Sequence, residues 1–120
     1  MNNDIDISRQ LPDGRIVLCG ANAYEGKYFF NPDFNKLPDD VKDELHIISV
    51  LFTREVGGIF LILFDEDGEV LLETRSEESD ILYDEVSVGL LIGEIRRSRQ
   101  ELFAQIKLFY KVFILGESIE

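Results

Sequence analysis

The chain has 120 residues, 45% of them hydrophobic, and carries 24 acids against 12 bases for a formal charge of −12. That length and apolar content suit one ordinary domain with a packed core, so the acidity is not a signature of disorder. The charge argues against nucleic acid as a partner and against docking on anionic membrane, because both need a basic surface.

Residues 1 to about 13 read as a polar leader. Met1-Asn2-Asn3-Asp4 lacks the basic and apolar regions of a signal peptide, and no apolar run approaches the ~20 residues of a membrane span. The expected location is therefore the cytoplasm. Ile5 and Ile7 alternate as a short strand would, and Pro12-Asp13-Gly14 is turn chemistry. Arg15 to Gly20 predicts a strand and Lys27 to Asn31 a second, aromatic one. The glycines and asparagine between them predict a hairpin, and Asn31-Pro32-Asp33 stops it. Cys19 is the only cysteine, which precludes an intramolecular disulfide and fits a reducing interior.

Leu37, Val41, Leu45, Ile48 and Phe52 recur at helical spacing, with Asp39, Asp40, Lys42, Asp43 and Glu44 on the other side. Pro38 and the two aspartates suit the start of this helix, and Gly57-Gly58 its end. A hairpin follows with Asp67-Gly68 in its turn. Its first arm, Ile59 to Phe64, is apolar without a break, so both of its faces must be dry. The second arm alternates, with Val70 and Leu72 on one face and Leu71, Glu73 and Arg75 on the other. After the acidic loop Ser76 to Asp80 comes a helical stripe of Leu91, Ile95, Leu102, Ile106, Phe109 and Phe113. One helix over 83–114 would run about 45 Å, longer than a small domain is wide. A bend near Ile95 to Arg99 is the alternative, and the run Lys107 to Leu115 also suits a strand.

The order strand, strand, helix, strand, strand, helix or helices predicts an α+β fold. Its sheet is mainly antiparallel, with four to five strands and helices divided between the two sides. One domain is expected over residues 14–116, followed by a short tail at 117–120.

The chemistry-bearing residues are few. Asp65-Glu66-Asp67-Gly68-Glu69 misses the spacing of a calcium loop and reads as a turn. Cys19 and His46 are one thiol and one imidazole with no third group to orient them. No catalytic residue, metal centre or cofactor is predicted. Asn22, Tyr24, Lys27, Tyr28 and Asn31 concentrate polar groups on the first hairpin, and with Tyr83, Asp84 and Glu85 form the candidate ligand pocket. Asp65 to Glu85 holds ten acids and one base, whereas Glu94 to Lys111 holds five bases and two acids. The basic helix can pair with the acidic strip of its own chain or of a second copy. The candidate interface is therefore Leu91, Ile95, Arg96, Arg97, Arg99, Leu102, Ile106, Phe109 and Phe113.

Several stretches carry a resemblance: Leu18 to Tyr24, Lys27 to Asn31, Val41 to Leu45, Phe52 to Gly58 and Ile81 to Glu85. On these the chain resembles an uncharacterised family of small acidic proteins from clostridia-like bacteria, a domain of unknown function. Its element order is also similar to profilin-like modules such as longin and roadblock units. The resemblance implies a self-contained domain and brings no activity with it. The reading is a non-catalytic module working by protein contacts, as a homodimer through 83–115 or with another, unidentified protein. Its rival is a small-ligand sensor or enzyme that uses the hairpin pocket.

Overall fold

The computed structural model describes residues 13–117. The leader, with its Ile5 and Ile7, and the tail lie outside these apart from Asp13 and Glu117. Four strands form one antiparallel sheet: β1 (Ile16–Asn22), β2 (Lys27–Phe30), β3 (Ile59–Phe64) and β4 (Val70–Arg75), in the order β2-β1-β3-β4. Among the described residues three helices accompany the sheet in an α+β fold: α1 (Asp39–Val56), α2 (Glu85–Ser98) and α3 (Gln100–Phe109), the last running into a π-helical turn over Tyr110–Ile114.

The unbroken apolar run becomes the inner strand β3, which pairs on both sides and is buried along its whole length. Phe60 and Ile62 are 0% exposed. Its two faces meet different surroundings. Phe60, Ile62 and Phe64 join the main core with Val41, Leu45, Ile48 and Phe52 of α1, Val88 and Ile95 of α2, and Leu102 and Ile106 of α3. Ring stacking ties these layers: Phe52 lies 4.5 Å from Phe60 and Tyr110 lies 4.4 Å from Phe64, between centroids.

Ile59, Leu61 and Leu63 point the other way and cluster with Val17, Phe29 and Leu71, all strand residues. The helices therefore share one side of the sheet, against the expected division between two. The apolar residues of α1, α2 and α3 fall in a single core cluster with Phe60, Ile62 and Phe64, so one buried layer satisfies all three helices. On the second face Arg15 reaches across β3 to Glu73 at 2.6 Å, and Arg75 holds the other oxygen of Glu73 at 2.7 Å.

The local endings follow from backbone chemistry. Gly57 and Gly58 close α1 with φ of 76° and 73°. At Gly58 a β-carbon would stand 2.6 Å from the Tyr83 ring and 2.7 Å from the Arg75 carbonyl, so only glycine fits. The hairpin turns through Glu66, Asp67 and Gly68, the last at φ 87°. There the Asp65 carboxylate accepts from the N–H groups of Asp67 and Glu69. The long helical region bends at Arg99 (φ −121°, ψ 31°), as the second alternative expected, and its aromatic end continues the helix rather than forming a strand.

Candidate functional site

A cleft of about 430 Å³ opens between the first hairpin and the second half of α1. Asn22, Lys27 and Tyr28 line it from the strands, and His46, Val50, Thr53 and Arg54 from the helix. Tyr28 holds the His46 ring by stacking, with centroids 4.1 Å apart and planes 16° from parallel. The Tyr28 hydroxyl is buried, with the weakly polar Cys19 thiol as its neighbour and no well-formed hydrogen bond among the described residues. Burial raises its pKa above the usual phenol range, and the neighbouring Cys19 thiol adds to the shift. Asn22 Oδ1 accepts from the N–H groups of Tyr24 and Glu25, an Asx turn that fixes the hairpin tip.

Three of the five hairpin residues expected at a pocket thus meet there. Asn31 instead is buried: its amide donates to the Val17 carbonyl at 2.8 Å and its oxygen caps a short 3-10 turn at Asp33. Tyr24 donates to Asp80 at 2.7 Å and accepts from the Glu77 N–H, tying the hairpin to the acidic loop. Tyr83 and Glu85 line a separate cleft of about 370 Å³ beside Thr74, Arg75 and Val88, where the buried Tyr83 hydroxyl makes no hydrogen bond among the described residues. Asp84 caps α2 by accepting from the Val86 N–H, and the Ser87 hydroxyl, then that backbone contact, hold its pKa below the usual carboxylate value. The two halves of the expected pocket therefore do not share a cleft.

His46 and Arg54 were not anticipated at this site. The available signal was their position with Val50 and Thr53 on one helical face (i, i+4, i+7, i+8), displaced from the apolar stripe.

Cys19 is buried beside Ser49, with 3.9 Å between Sγ and Oγ. Burial pushes its thiol up to about 12, the reverse of what a nucleophile needs. Among the described residues no three His, Cys, Asp or Glu side chains converge to hold a metal ion. No described helix is long and apolar enough to cross a membrane.

The C-terminal region divides its expected interface residues. Ile95, Leu102 and Ile106 are buried in the chain's own core, and Leu91 and Phe109 are partly buried against it. Phe113 stays exposed, stacked on Phe109 at 4.6 Å. Arg99 pairs with Glu44 of α1 at 3.0 Å, and Lys107 reaches Glu69 of the acidic strip in the same chain at 2.8 Å. Arg96 and Arg97 remain exposed.

Leu108, Phe113, Ile114 and Leu115 at the C-terminal end and Ile47 and Leu51 of α1 are exposed, but the most exposed apolar side chains lie on the acidic loop and α2. Ile81 (90% exposed), Leu82 (88%), Val86 (72%) and Leu90 (71%) run from the acidic loop along α2. Val86, Leu90, Gly93 and Arg97 fall at i, i+4, i+7 and i+11, on the face turned away from buried Val88 and Ile95. Gly89 flanks them, and a β-carbon there would meet nothing within 4 Å. The Gly89–Gly93 spacing is the sequence signal for this face. The large apolar residues of the buried stripe obscured it.

No curated protein and no solved structure matches the chain. A family model does match it over residues 15–118, and the chain belongs to that family, a family of unknown function (DUF6145).

Proposed function

We propose that this chain works through protein contacts, as a homodimer in which the α2 helices of two copies pair antiparallel. The observation that carries the reading is the outer face of α2. Val86 and Leu90 stand largely in water there, beside two glycines that the chain's own packing does not require. Exposed apolar side chains in a contiguous run mark a contact surface more often than a solvated one. Each glycine inside a helix costs about 0.5–1 kcal/mol relative to alanine. Close approach of a second helix offsets that cost, because nothing projects where the two backbones meet.

Charge favours a second copy as the occupant. An antiparallel pair about a twofold axis near Leu90 brings Arg96 and Arg97 at the end of one helix to Asp84 and Glu85 at the start of the other. The helix dipoles then also run opposite to each other.

Sedimentation equilibrium on a charge-swapped set tests this. Glu85→Arg or Arg97→Glu alone weakens self-association several-fold, and the double variant regains most of it. Equal association across the set, or none in the parent chain, contradicts the pairing.

A further inference from the structure

We infer that the cleft between the first hairpin and α1 binds a small oxyanion, a phosphate or carboxylate group, through Lys27 and Arg54 with His46 beside them. All three line the same cleft, and among the described residues no acidic side chain does. In a chain with twice as many acids as bases that is an unusual local balance. Among the described residues Arg15, Lys42, Arg75, Arg99 and Lys107 each pair with a carboxylate, whereas Lys27 and Arg54, like Lys36, Arg96, Arg97 and Lys111, do not; of these six only Lys27 and Arg54 line this cleft. Two cations on one concave surface repel each other until an anion joins them.

The neighbouring groups are fixed in advance. His46 is held by its stack on Tyr28, and Asn22 is oriented through its oxygen, which leaves its amide N–H groups as donors. Arginine supplies a planar fork and lysine a point charge, the usual pair for oxyanion oxygens. The net charge of −12 does not abolish such a site. At physiological ionic strength the Debye length is about 8 Å, so distant carboxylates are screened while cleft groups act at contact range.

Thermal melting of the full chain with inorganic phosphate and, separately, citrate tests the site, with sodium chloride at matched ionic strength as the control. A ligand that binds only the folded state raises Tm by about 5 °C when it stands tenfold above its Kd. A rise with phosphate alone assigns a phosphoryl ligand, and a rise with citrate alone assigns a carboxylate. A rise with both assigns the shared oxyanion. In each case it disappears in the Lys27→Gln/Arg54→Gln variant, whose unliganded Tm stays within a degree or two because both side chains are exposed. No rise above the chloride control at tens of millimolar, or an equal rise in the variant, overturns the inference.

Discussion

Cys19 sits in the middle of β1, fully buried with its thiol against Ser49 and Tyr28. Its pKa of about 12 keeps it protonated at any ordinary pH, so the folded chain resists Ellman's reagent at pH 8 and releases its full thiol only on unfolding. Rapid labelling of the native protein would show that β1 opens locally. Glu73 gives a second residue-scale expectation. Partial burial raises its pKa, but hydrogen bonds from Arg75 and Arg15 outweigh this and leave it below its ordinary 4.5. A lowered folded pKa contributes stability above the unfolded value, and that contribution is lost as pH falls through the folded one. The Tm difference between the parent chain and Glu73→Gln is therefore steady above about pH 5 and shrinks on acidification below 4.5. A difference that grows in acid contradicts the ion network on that face. At this scale the sequence shows only polar groups crowded on one short hairpin, of which Asn22, Lys27 and Tyr28 line a common cleft. Asn31 was not separable from them, since a backbone-capping amide and a ligand-binding amide look the same in sequence.

The elements with one strong period were the readable ones. In α1 four apolar positions, preceded by Leu37, and the glycines beyond it fix both face and end, and Leu45 is fully buried as that stripe requires. Leu45→Ala lowers stability by about 2–5 kcal/mol, measured by urea unfolding, and a loss below 1 kcal/mol means the core collapses around the gap. The run Ile59 to Phe64 likewise announces a strand dry on both faces. It does not say what lies over each face, and there the expected division of helices failed. Periodicity reports which side of an element is apolar, whereas the choice of sheet face depends on how connections turn. The region 83–115 was ambiguous for a related reason: the bend at Arg99 comes from one residue leaving helical ψ, with no proline or glycine to mark it. For α2, Gly89→Ala separates intrinsic helix preference from association. It stabilises the monomer by about 0.5–1 kcal/mol in dilute urea melts while weakening self-association, and a change of the same sign in both removes the reason for a glycine there.

At the scale of the whole molecule, the acids and bases are unevenly spread. Lys107 and Arg99 hold the C-terminal helix onto the rest of the chain through Glu69 and Glu44, while Arg96 and Arg97 face solvent. The long apolar stripe that first suggested an interface is spent mostly on the intramolecular core. The proposed pairing rests instead on the opposite face of α2, where Val86 and Leu90 are more exposed than any apolar residue of the C-terminal helix. Light scattering of the parent chain at micromolar concentration, alongside Leu90→Glu, tests that claim most directly. A mass near twice 13.8 kDa that falls to 13.8 kDa in the variant, with Tm in dilute solution unchanged, is the predicted result. A parent chain that scatters as 13.8 kDa at every concentration, or a dimer indifferent to Leu90→Glu, contradicts it.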